Sequence, residues 1–392
     1  MTRATSARRY VYSASRLYSH IAAEPRLETV QIRSGSGGSI DVHVQNPSPS
    51  TPNSLLILHI LSSLNHKQRE PAAAISASSS PVTKIQELNL EQPPFYTTPK
   101  ALSFSDSTVV SIAPRWSKTD PFPTPLHDVL VAFDWVVANL CSSSTFHTPR
   151  PIAVCGSSIG GTLATSLALT ESRPGKKSRI SALAVQDAVF NWTDIATSIP
   201  SESDGPTMKT LLDARGHLFS SPAGCFDAFA SPILFFRTSG LHVPLSFPST
   251  PSSEEVEPAG GQDVDGPELN PPLRRSNLKF PAKGSGLRLP YTRIAVTADL
   301  PTRPARQRGK GSSALVADAL DQPLVAQAEE MARLMRRSVA LHELNERVRD
   351  DPDGRSEGQV VAARRIELIS SQRQQQHDEG QWAADFFRDV LG

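Results

Sequence analysis

The sequence predicts an α/β fold: a mostly parallel central sheet with helices on both faces, with a partly disordered cap insertion. Three observations carry this expectation. Short apolar runs that read as buried strands alternate with longer stretches that have an apolar stripe at helical spacing. One of those strands, residues 152–155 (IAVC), runs through the turn Gly156-Ser157-Ser158-Ile159-Gly160-Gly161 into a helix over 162–169. Between residues 191 and 286 the alternation breaks, and much of that stretch is rich in Pro, Gly and Ser.

Taken in order, residues 28–33 and 39–44 alternate polar and apolar side chains around a Gly-rich turn at 34–38, which predicts an antiparallel hairpin. Leu55–Ile60, LLILHI, reads as a strand buried on both faces. Residues 61–96 hold Ala-Ser repeats and Pro93-Pro94 with no sustained period, as a functional loop or a disordered insertion does. A strand at 108–112 and a helix over 126–140 follow; then come the strand, turn and helix around Ser158, and a strand at 180–185. A short helix at 208–217 and the apolar run PILFF within 231–237 lie in the broken region, and 248–286 reads as disordered or as part of a lid. Tyr291–Ala298 resumes the strand pattern, 302–313 reads as a basic surface loop, and 321–340 is a strongly amphipathic helix. A last strand at 364–369 and a last helix over 380–391 close the chain. The organisation expected is a leader at 1–26, a core first part at 27–190, a cap at 191–286 and a core second part at 287–392.

Composition bounds the function. With 392 residues and a net charge of +1, the chain has no basic excess to neutralise phosphates, so a general nucleic-acid binder is excluded. Three widely spaced cysteines, Cys141, Cys155 and Cys225, make neither a disulfide framework nor a metal site. No apolar run approaches the ~20 residues that span a bilayer. Residues 1–23 hold four arginines and no acid, a composition shared by organellar transit peptides and by solvated leaders. A cytoplasmic location is expected, with a mitochondrial one as the alternative. Residues 1–23 show no long apolar h-region, so a secretory signal is not expected, and neither is use of the glycosylation acceptor that Asn191-Trp192-Thr193 matches.

Gly156-Ser157-Ser158-Ile159-Gly160 satisfies G-x-S-x-G, which sets a serine on a sharp bend with its hydroxyl clear of the sheet and the amide of Ile159 free for a developing oxyanion. Ser158 is the candidate nucleophile. A phosphate-binding turn is the alternative, but neither G-x-G-x-x-G nor Gly-Lys-Ser/Thr is present in the loop.

Residues 109–140 hold Pro114-Arg115-Trp116, Pro121-Phe122-Pro123 and Asp128, the G-x-S-x-G follows, and residues 226–237 read FDAFASPILFFR. This set resembles the α/β-hydrolase group related to hormone-sensitive lipase, and in particular fungal esterases and lipases of that fold; the likeness runs from about Thr29 to the C-terminus. The resemblance implies an α/β-hydrolase core and a Ser–acid–His triad in that chain order. It places the acid after the strand Tyr291–Ala298, where Asp321 fits best and Asp318 is the reserve; for both, helix capping is the competing role. It places the base between the last strand and last helix, where His377 stands in a glutamine run, with a solvated loop histidine as the alternative. It implies an oxyanion hole after Leu55–Ile60, giving Ile159, Leu61 and Ser62 as donors, although His59-Ile60-Leu61-Ser62-Ser63 has no glycine. His59 is expected to be a strand-end residue with its hydrogen bonds satisfied. The substrate implied is a small carboxylic ester, with no metal and no organic cofactor. Trp192, Phe219, Phe226 and Phe229 are either core or pocket lining. A degenerate hydrolase that binds without turnover is the rival from another class.

Overall fold

Eight strands form one sheet in the order β1-β2-β4-β3-β5-β6-β7-β8. The computed structural model describes residues 26–46, 55–62, 100–102, 107–141, 151–174, 179–202, 204–248, 280–282, 284–298, 323–343, 354–372 and 380–391. Strands β1 (Arg26–Arg33) and β2 (Ser39–Asn46) are the antiparallel hairpin that the Gly-rich turn predicts. β2 also runs antiparallel to β4 (Ser107–Ile112). From β4 onward all neighbours are parallel: β3 (Leu55–Ile60), β5 (Ile152–Ser157), β6 (Ile180–Gln186), β7 (Tyr291–Ala298) and β8 (Ile366–Gln372).

Helices cover both faces, because the central strands are apolar on both sides. On one face, α1 (Thr124–Leu140), α2 (Ser158–Thr170) and α5 (Pro323–His342) pack against Leu56, Leu58, Val110, Val154 and Leu183. On the other face Leu55, Ile57, Ala153, Cys155 and Ala184 pack against α7 (Gln381–Leu391) through Ala383, Ala384, Phe386 and Phe387. Between β6 and β7, α3 (Trp192–Thr197) and α4 (Pro206–Leu218) gather a third cluster around Trp192, Leu211, Leu218, Phe219 and Cys225.

Several boundaries differ from the sequence expectation by two residues or more, and α3 is an addition to it. α2 begins at Ser158 rather than at 162, since the Gly-rich turn is itself the first helical turn. A helix over Gly354–Arg365, α6, was not expected, and β8 accordingly starts at Ile366 rather than at 364. Its Val360 and Val361 are exposed while Ala362 is buried, so it has no apolar stripe to announce it. The cysteines are free thiols, and burial pushes the Cys155 thiol well up and Cys225 up to about 12. Among the described residues no helix is long and apolar enough to cross a membrane, and no cluster of His, Cys, Asp and Glu could hold a metal ion. All of the expected leader but Arg26, the basic loop, nearly all of the 61–96 insertion and most of 248–286 lie outside the described residues.

Candidate active site

The site is built where β5 turns into α2. Ser158 has φ of 48°, a left-handed conformation that L residues avoid and that is held only where the surroundings over-determine it. The glycines around it leave no room for side chains. A Cβ on Gly156 would lie 2.8 Å from the backbone of Gly160, and one on Gly161 would lie 2.9 Å from the Ala188 methyl. A Cβ on Gly160 would lie 2.4 Å from the carbonyl oxygen of Ile60 and 3.1 Å from that of Leu61. The start of α2 therefore rests directly on the end of β3. Ile159, second residue of α2, has a backbone N–H with no partner inside the helix, as for every first helical turn.

The end of β3 is the expected second side of the oxyanion hole, and here one residue is corrected. The Leu61 amide donates to the Ile112 carbonyl at 3.0 Å, extending the β3–β4 ladder, so it is not a free donor. Ser62 follows it, and its hydroxyl is buried with no partner among the described residues. His59 also departs from expectation: its Nδ1 is buried without a partner among the described residues, and burial pulls its pKa down to about 4, so the ring is neutral. It pairs in register with Cys155 and Ser111, on the same face as Leu55 and Ile57.

Ile159 joins the third cluster, so the elements between β6 and β7 lie over the elbow. Trp116 and Phe122, from the chain after β4, pack into the same cluster; Phe122 and Phe219 rings are 5.8 Å apart, Phe219 and Trp192 5.3 Å. The Trp116 indole N–H is buried with no partner among the described residues. Trp192 is 1% exposed and thus core, Phe226 is half-buried at the cluster's edge, and Phe229 packs away from it, against the sheet core and Phe235.

Several positioning residues were not foreseen. Arg115 grips the buried Asp128 carboxylate with Nε at 2.9 Å and Nη2 at 2.7 Å, while its Nη1 donates to the Gly37 carbonyl at 2.6 Å. This pins the β1–β2 turn and α1 to the chain leaving β4. Gln327 of α5 accepts from the Phe190 and Asn191 amides and donates to the Asn191 carbonyl, each at 3.0 Å. Asn191 is itself buried and caps α3 by accepting from the Thr193 amide and hydroxyl, which rules out the glycosylation its sequon would invite. Asp187, at φ 48°, accepts from the Thr297 amide and hydroxyl and so ties the ends of β6 and β7 together. The spacing signal Pro114-Arg115-Trp116 to Asp128 could have suggested the first pair; the others left no local trace.

Asp321, Asp318 and His377 lie outside the described residues. α5 begins at Pro323, two residues after Asp321, and its Leu324 packs into the cluster that contains Ile159. α7 begins at Gln381, four residues after His377.

Residues 100–241 match the model of a family described as alpha/beta hydrolase fold, a span that includes β4, α1, the elbow and α4. No curated protein matches the chain. Among solved structures, a hyperthermophilic esterase from the archaeon Pyrobaculum calidifontis is 15% identical with a TM-score of 0.47, over 94% of this chain and 84% of that one. Carboxyl esterase 2 from the mycorrhizal fungus Tuber melanosporum is 12% identical with a TM-score of 0.47, over 94% and 89%. An esterase from the fungus Rhizomucor miehei is 14% identical with a TM-score of 0.46, over 95% and 83%. The sheet and the family model together give this chain an α/β-hydrolase fold.

Proposed function

We propose that the protein is a serine hydrolase that cleaves small carboxylic esters through an acyl-enzyme on Ser158, related to the hormone-sensitive-lipase group and its fungal members. The observation that carries this reading is the backbone at Ser158: a serine held at positive φ on a strand-to-helix bend, with glycine wherever a side chain would collide. In the proposed cycle the Ser158 hydroxyl attacks the ester carbonyl as His377 takes its proton, and Asp321 orients the imidazole and stabilises its charge. The tetrahedral oxyanion accepts hydrogen bonds from the amides of Ile159 and Ser62. His377 returns the proton to the departing alcohol, and water then hydrolyses the acyl-enzyme by the same route reversed. No metal or organic cofactor enters the scheme. The contact between Leu324 and the cluster around Ile159 supports Asp321, because it brings the head of α5 to the elbow.

A second reading rests on the glycine-free stretch after β3 and the commitment of the Leu61 amide to Ile112: a ligand-binding module that forms the complex without turnover. Hydrolysis of p-nitrophenyl acetate and butyrate separates the two. Turnover that falls by about 10³-fold or more in Ser158→Ala and in His377→Gln supports the hydrolase. Turnover unchanged in Ser158→Ala contradicts it, and tight ester binding with no turnover in the native protein favours the binding module.

A further inference from the structure

The opposite rim of the sheet holds an arginine cluster that the hydrolase reading does not use. β6, β7 and β8 are parallel neighbours, so their first residues share one rim. Arg179 immediately precedes β6, Arg288 stands three residues before β7, and Arg365 immediately precedes β8. Ser172, just past α2, is tied to this rim because its carbonyl accepts from the Arg288 amide at 3.2 Å. Ser158 sits past the far end of β5, a separation of roughly 20 Å at ~3.3 Å per strand residue.

Among the described residues one carboxylate faces these three guanidinium groups. Glu343, directly after α5, accepts on a single oxygen, Oε2, from Arg288 Nε at 2.9 Å and from Arg365 Nη1. Four polar atoms are left buried without a partner among the described residues: Arg179 Nε, Arg365 Nε, Ser172 Oγ and Glu343 Oε1. Arg365 is fixed by its stacking over the Tyr291 ring at 5.2 Å, and its side chain is only 8% exposed. Burial, reinforced by the charge of Arg288, lowers the proton affinity of both Arg179 and Arg365, with Glu343 opposing it. Three cations against one anion leave two positive charges, which a bound dianion would neutralise. The leftover atoms are donors plus one acceptor, so the dianion must both accept and donate.

We propose that this rim binds one hydrogenphosphate ion, whose bare oxygens accept from Arg179 Nε, Arg365 Nε and the Ser172 hydroxyl while its single P–OH donates to Glu343 Oε1. Sulfate carries the same charge and shape but has no proton to give, so it leaves Glu343 Oε1 facing an oxygen of like charge. The site therefore discriminates between the two anions by a hydrogen bond, the kind of difference that gives large selectivity when the site is buried.

Isothermal titration of the full chain with sodium phosphate and with sodium sulfate, at pH 8 and matched ionic strength, tests this. Phosphate is expected to bind with one site per chain and sulfate at least about tenfold more weakly. Arg179→Gln and Ser172→Ala should each weaken phosphate binding by about tenfold or more, and no described hydrogen bond of the fold is lost with the Arg179 side chain. Absence of phosphate binding, equal affinity for sulfate, or unchanged affinity in both variants overturns the proposal.

Discussion

Gly160 lies so close to the end of β3 that a Cβ on it would stand 2.4 Å from the Ile60 carbonyl oxygen. Backbone is packed on backbone there, and that contact holds the first turn of α2 against the strand whose end would supply the second oxyanion donor. Gly160→Ala must push the two apart. The expected cost is at least about 1–3 kcal/mol in urea-induced unfolding, as for overpacked cores. A loss of ester turnover larger than the loss of folded protein is expected as well, because the displaced element carries Ile159. Unchanged stability would mean that the two segments are not packed as described.

Arg115 and Asp128 form a partly buried pair: the Arg115 side chain is 23% exposed, while Asp128 is fully enclosed. Arg115→Met leaves the enclosed carboxylate with only the Arg115 backbone amide, so stability should fall by about 2–3 kcal/mol, below the range for a fully buried pair. Arg115→Lys should recover only part of that, since an ammonium cannot reach both carboxylate oxygens and the Gly37 carbonyl from one plane. Chemical denaturation of the two variants measures both effects.

Gln327 serves three backbone groups of Phe190 and Asn191 at once. Gln327→Leu strands them in the interior, at about 1–3 kcal/mol for each group left unpaired. A drop in ester turnover beyond the loss of folded protein is expected too, because α5 starts two residues after Asp321. Denaturation midpoints and kcat on one ester, measured side by side, check this.

The neutral, partly buried His59 ring, with its Nδ1 enclosed, makes stability depend on pH. Its pKa is lowered from 6.5 to about 4 in the folded state by burial, so between those values the unfolded chain binds the extra proton. Stability contributed by His59 is therefore present above about pH 6.5 and is lost as pH falls toward 4, by about 3 kcal/mol in all. Urea unfolding of the native protein and of His59→Gln at a series of pH values should show that difference shrinking as pH falls. Parallel pH dependences would place the ring in water.

What could be read from the sequence was what a short window contains. The G-x-S-x-G turn reports a steric constraint that is partly local, Gly156 against Gly160, and the apolar run of β3 reports burial on both faces. The Leu61 amide was misassigned because its fate depends on whether the β3–β4 ladder continues one residue further, which the pattern of side chains does not encode. Gln327 bonds backbone more than 130 positions away, and Asp187 takes its conformation from the end of β7. Helix α6 escaped because the apolar side chain it buries among the described residues is a small alanine beside two exposed valines.

Covalent capture of the nucleophile tests the central proposal most directly. The full chain is treated with a fluorophosphonate probe, digested and mapped by mass spectrometry. A single phosphonylated peptide with the adduct on Ser158, absent from Ser158→Ala and suppressed when a p-nitrophenyl ester competes, is the expected result. Folded native protein that takes up no probe, or takes it up equally after Ser158→Ala, contradicts a catalytic serine at this bend.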